Sequence, residues 1–126
     1  MLDKWQPGQN PIDMKKLRYA LIEKKLGSFL NPISVASPDL WQQFIRAIQD
    51  VAVNETAHKI PVLYGIDSIH GATWVENGTL YPQPLSMAAS FNPEIAKKYG
   101  ELVAKEQKAS GIPWNFRFEI SLSCLY

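Results

Sequence analysis

Apolar residues recur at helical spacing in three stretches of this chain, and short uninterrupted apolar runs lie between them. The clearest stretch places Trp41, Phe44, Ile45, Ile48 and Val51 or Ala52 on one stripe of an amphipathic helix. Before it, Leu17 and Leu21 predict the inward face of a helix from Pro11 to about Leu26, with Gly27 as its C-terminal stop. After it, Ile95, Tyr99, Leu102 and Val103 predict a third inward face, ending near Ser110-Gly111. Each helix opens with a capping side chain followed by a proline: Asn10-Pro11, Ser37-Pro38 and Asn92-Pro93.

The apolar runs predict four strands: 28–30 (SFL), 60–66 (IPVLYGI), 85–89 (LSMAA) and 112–116 (IPWNF). Strands alternating with helices predict an α/β domain with a largely parallel sheet. One interval breaks the alternation. From Asp67 to Pro84 there is no helical periodicity, and a loop of that length in a compact domain is usually functional or disordered. Trp74 and Tyr81 argue for order, so we expect a site-forming loop at the end of a strand.

Composition adds mainly exclusions. A chain of 126 residues, 46% hydrophobic and 20% charged, has the size and balance of one globular domain. Thirteen basic residues against twelve acidic ones point to no partner by charge. Lys4, Lys15, Lys16, Arg18, Lys24 and Lys25 are interleaved with Asp3, Asp13 and Glu23, which reads as a solvated face and not a nucleic-acid patch. The single cysteine, Cys124, excludes an internal disulfide. The first residues do not read as a signal peptide, and no apolar run is long enough to span a membrane. Localisation stays open.

The candidate chemistry sits at the end of the 60–66 run. Asp67 falls where the strand runs out, and Gly65 allows a close approach to the backbone beside it. At the carboxyl ends of strands, where α/β sheets and barrels bind ligands, a carboxylate can accept hydrogen bonds from adjacent sugar hydroxyls. The alternative is a loop cap, with Asp67 accepting from the backbone of Ile69 or His70. His70 is either a ligand-site residue or a side chain held by a backbone carbonyl. Trp74, Tyr81 and Trp114 are either sugar-stacking platforms or packing. His58 adds no metal-ligand pattern, and serine elbows, phosphate loops and paired cysteines are absent, so we expect no metal and no cofactor.

These words resemble the N-terminal domain of family 3 glycoside hydrolases, the β-glucosidase type. The shared pieces are G-I-D-x-x-H-G at Gly65 to Gly71, T-x-[FY]-P at Thr79 to Pro82, and a small-residue strand at Leu85 to Ala89. F-N-P at Phe91 to Pro93 and E-x-x-A-x-G-I before W-x-F, Glu106 to Phe116, complete the match, which covers about residues 15–116 in order. The resemblance implies a partial (β/α) TIM-type barrel, here about four strands with three helices. It implies retaining hydrolysis of terminal β-D-glucosidic bonds, with a β-glucoside or oligosaccharide as substrate. It also implies that Asp67 binds hydroxyls of the nonreducing-end sugar, with His70 shaping the loop beneath it.

The tail departs from the family. Where a strand with P-V-L-D is expected, residues 117–126 read RFEISLSCLY, alternating polar and apolar as a strand would. We therefore expect 1–126 to be an incomplete barrel domain, as a frameshift or an early end of the reading frame would leave it. In the family the nucleophile lies on a later strand and the acid/base farther on, so no catalytic residue is expected here. A full barrel takes about 250 residues, and four strands leave edges and an inner face uncovered. The expectation is a marginally stable chain, or one that pairs with the remainder of the barrel and is inactive alone. The alternatives are a non-catalytic sugar-binding or inactive remnant domain, and an unrelated α/β interaction protein.

Overall fold

The computed structural model describes residues 12–32 and 34–116. Its elements are α1 (Met14–Arg18), continued by a π-helical turn (Tyr19–Glu23), β1 (Ser28–Leu30), α2 (Pro38–Glu55), β2 (Leu63–Ile66), α3 (Pro84–Ala88), α4 (Pro93–Ala109) and β3 (Trp114–Asn115). The three strands form one parallel sheet in the order β1-β2-β3. The fold is thus α/β, with three strands among the described residues where the sequence suggested four. Asn10-Pro11 and the 117–126 tail lie outside the described residues.

The missing strand is the LSMAA run, which is helical. Gln83 is extended (φ −60°, ψ 153°) and Pro84 begins the helix, where its fixed φ suits the first turn and its lost N–H costs nothing. Leu, Met and Ala, all unbranched at Cβ, follow as good helix formers. None of the α3 side chains is buried, so no core contact opposes this local preference.

The first helix also differs from its expectation. Its N-cap among the described residues is Asp13, whose carboxylate accepts from the backbone N–H groups of Lys15 and Lys16 at 3.0 and 3.1 Å. It ends before Gly27: the Lys24 N–H donates to the Tyr19 carbonyl, and the Leu26 N–H reaches back to Ala20. The left-handed residue closing this turn is Lys25 (φ 54°). Gly27 instead starts the ladder, its carbonyl accepting from the Leu63 N–H at 3.0 Å.

The α2 helix follows its pattern. Ser37 caps it through Oγ, and Trp41, Phe44, Ile45, Ile48, Val51 and Ala52 are all buried. Against α2, Tyr64 and Ile66 of β2 pack with Trp74 from the loop. Trp41 is fully buried and meets Phe44, Tyr64 and Trp74 edge-on, at ring-centroid distances of 5.8, 6.2 and 5.1 Å. The approach to β2 is fixed by Gln49, whose side-chain amide donates to the Val62 carbonyl and accepts from the Val62 N–H at 2.7 and 3.0 Å. On the sheet's other face Leu30, Leu63 and Trp114 are exposed. No helix among the described residues is long and apolar enough to cross a membrane.

Candidate functional site

The register places Leu30, Gly65 and Trp114 in line across the three strands. Leu63 and Gly65 share a face because strand side chains alternate. The alternation continues past the strand: Ile66 and Ser68 are buried and Asp67 between them is exposed. Asp67 therefore stands at the carboxyl end of the middle strand, on the side not packed on α2. Gly65 is needed there because of Phe116: a Cβ on Gly65 would overlap the Phe116 ring. The ring is held over the glycine by the Phe116 N–H, which donates to the Ile66 carbonyl at 3.2 Å. Trp114 packs on Phe116 with centroids 4.4 Å apart, so these two rings border the face that carries Asp67.

The loop-cap alternative for Asp67 is not what forms. Among the described residues no hydrogen bond reaches its carboxylate; the turn is closed by the Gly71 N–H donating to the Ser68 carbonyl at 3.0 Å. Asp67 is exposed, and its carboxylate accepts from none of the described residues.

His70 is partly buried and turned into the loop. Its Nδ1 lies 2.9 Å from the Tyr81 carbonyl, while the Tyr81 N–H donates to the His70 carbonyl at 2.9 Å. A carbonyl only accepts, so Nδ1 carries the proton in this arrangement. Gly71 (φ +84°) makes the turn beside it, where a Cβ would meet the Tyr81 ring at 2.5 Å and the Thr79 carbonyl at 2.7 Å. His70 thus ties the two arms of the loop together at Tyr81.

The aromatic candidates divide. Trp74 is 4% exposed, and its carbonyl accepts from Trp41 Nε1 at 2.9 Å, so it is core. Tyr81 packs on Tyr99 with centroids 4.9 Å apart. Of the three candidates Trp114 is the exposed one, and it lies on the face of the sheet that carries Asp67. Among the described residues no group of three or more His, Cys, Asp or Glu side chains is placed to hold a metal.

On α4, Tyr99 and Val103 are inward as expected, whereas Gln107 and Glu106 were missed by sequence reasoning. Tyr99, Val103 and Gln107 form its buried stripe, whereas Ile95 and Leu102, expected inward, are 45% and 39% exposed. The helix is turned so that hydrogen-bonding side chains meet the loop. The Tyr99 hydroxyl donates to the Ile69 carbonyl at 3.2 Å, Glu106 accepts from the Thr79 N–H at 3.4 Å, and the Ser68 hydroxyl donates to Gln107 at 3.1 Å. The i, i+4, i+8 spacing of 99, 103 and 107 was the available signal, but a glutamine does not announce burial.

The model of the glycosyl hydrolase family 3 N terminal domain matches residues 9–117. A lysosomal beta glucosidase of Dictyostelium discoideum is 34% identical over 119 residues, 87% of this chain and 14% of that protein. A beta-xylosidase of Formosa agariphila is 28% identical over 108 residues, 82% of this chain and 14% of its own length. A putative beta-xylosidase of the same organism is 30% identical over 100 residues, 77% and 13% of the two chains. The chain therefore spans about one seventh of the length of these relatives.

Proposed function

This chain belongs to glycosyl hydrolase family 3, and from that membership we propose that it forms part of the sugar-binding site of a β-glucosidase-like retaining hydrolase. Glycoside hydrolysis is the chemistry of the family, and the substrate is a glycoside. The proposed role of these residues is to hold the terminal sugar, with Asp67 accepting from two neighbouring hydroxyls. The observation that carries the reading is the exposed Asp67 carboxylate at the carboxyl end of the middle strand, between fully buried neighbours and with no hydrogen bond among the described residues. A charge-assisted, two-point contact from a fixed carboxylate suits a vicinal diol. Trp114, exposed on that same face, offers a ring for the apolar side of a pyranose. His70 is proposed as the residue that shapes the loop beneath.

Catalysis needs more than this. A retaining mechanism uses two carboxyl groups about 5–5.5 Å apart, one as nucleophile and one as acid and base. In the family resemblance both come from later segments than those matched here, so Asp67 keeps a binding role. We propose that residues 1–126 constitute an incomplete barrel domain, and that without the later segments they bind sugar weakly and do not turn it over.

The Trp114, Leu30 and Leu63 face is the one a closed barrel would fill with side chains. Titrating the chain with methyl β-D-glucopyranoside and methyl β-D-xylopyranoside tests the reading. We expect saturable binding at about millimolar concentration, a free energy near −4 kcal/mol, with no release of aglycone from an aryl β-glucoside. Absence of saturable binding to either sugar would overturn the binding role, and turnover that depends on Asp67 would overturn the division of labour.

A further inference from the structure

We propose that Gln107 is a positioning residue for Asp67, acting through Ser68; the inference rests on Asp67 being the sugar-holding carboxylate. Ser68 follows Asp67 directly and is fully buried, as is Ser110, while Gln107 is 5% exposed. The Ser68 hydroxyl donates to Oε1 of Gln107 at 3.1 Å. Gln107 itself sits near the end of α4, where Ser110 closes the helix by donating from Oγ to the Gln107 carbonyl at 2.6 Å. The anchor for Ser68 is therefore a helix end that is itself fixed.

Asp67 is held from both sides as a result. On one side Ile66, 1% exposed, is fixed in the ladder, its carbonyl accepting from the Phe116 N–H. On the other, Ser68 is held by the bond to Gln107. An apolar contact would bury Ser68's position equally well but would leave its orientation loose, because hydrophobic contact has no direction. A hydrogen bond restricts both distance and angle. Two neutral polar groups in the interior gain little net stability over an apolar pair of the same shape. What the pair contributes is the direction of the residue next to it. The neighbouring attachments of α4 to Ile69 and Thr79 fasten the rest of the loop; of the three, the Gln107 bond is the one that acts on Ser68, and it fixes the side chain where the Gly71 N–H, at 3.0 Å, holds only the Ser68 carbonyl.

The test separates positioning from stability. In the full chain, Ser68→Ala/Gln107→Leu replaces the hydrogen-bonded pair by an apolar one, Ser68→Ala removes the donor alone, and Asp67→Asn serves as reference. Thermal midpoints are measured alongside NMR titration with methyl β-D-glucopyranoside. The double variant is expected to melt near the parent while its affinity falls about tenfold, as small misplacements of a binding group do. Ser68→Ala, read below its own midpoint, is expected to weaken binding in the same direction. Parent-like affinity in either folded variant would overturn the proposal. If Asp67→Asn loses binding while the double variant keeps it, the positioning role alone falls. If Asp67→Asn binds like the parent, the reading of Asp67 falls, and this inference with it.

Discussion

The Phe116 ring lies over Gly65 so closely that the glycine has no room for a Cβ. With the Phe116 N–H bond to the Ile66 carbonyl, this contact links the middle strand to the segment after the third one at the level of Asp67. Gly65→Ala must displace the ring or the strand, and overpacking of this kind costs about 1–3 kcal/mol. Urea denaturation should show that loss, and Gly65→Ala/Phe116→Ala should recover part of it relative to Phe116→Ala alone. An alanine at 65 that leaves the midpoint unchanged would mean the ring moves freely.

A second prediction concerns the clasp between His70 and Tyr81. His70→Ala removes the Nδ1 donor from the Tyr81 carbonyl. The expected cost is about 1 kcal/mol, the usual net value of one such bond. In His70→Asn the side-chain NH2 can take the place of Nδ1, so most of the loss should be recovered. Amide hydrogen exchange at Tyr81, whose N–H donates to the His70 carbonyl, is the sensitive readout. Equal exchange in all three proteins would deny the clasp its role.

Trp74 separates packing from sugar stacking. It is 4% exposed and fitted edge-on against Trp41. Trp74→Ala should therefore cost about 3–5 kcal/mol, the range for removing a large buried aromatic, and leave the domain largely unfolded by circular dichroism. Trp114→Ala, taken from a ring 43% exposed, should change stability far less and weaken glucoside binding instead. A folded Trp74→Ala protein with reduced sugar affinity would reverse these assignments.

Much of the scaffold was legible in the sequence, and the parts that were not have identifiable causes. The α2 stripe, its Ser37 cap and the β1 strand needed only periodicity and capping chemistry. The LSMAA run misled because a short apolar run without periodicity does not distinguish strand from helix, although Pro84 after Gln83 was the cue. The α4 face was misjudged by counting apolar positions only, when Gln107 occupies the inward stripe beside Tyr99 and Val103. For the candidate site, residue types and spacing placed Asp67 at a strand end but left its role between ligand and cap. The sugar reading came from resemblance. The buried bond between Ser68 and Gln107 joins residues 39 positions apart, and no local pattern encodes such a partner.

Alkaline pH should unfold the protein through Tyr64. Burial pushes its hydroxyl up to about 12 from an ordinary value of 10.0, and the proton is used in a 2.6 Å bond to the Asn31 carbonyl. Below about pH 10 both folded and unfolded chains keep the proton, so this group adds no pH dependence. Between about pH 10 and about 12 the unfolded chain loses it while the folded one retains it, and stability falls as pH rises. Urea midpoints across that window should decline, and Tyr64→Phe should decline less steeply from a lower starting value. Parallel slopes would assign the loss to other groups.

The most direct test of the account is the response of the Asp67 region to a sugar. Backbone amide shifts of the parent chain and of Asp67→Asn are followed during titration with methyl β-D-glucopyranoside. Saturable shifts are expected at Gly65 to Gly71 in the parent and at least a tenfold weaker response in Asp67→Asn, because a charge-assisted acceptor is replaced by a neutral one. Equal titration curves for the two proteins, or shifts confined to other parts of the chain, would contradict the account.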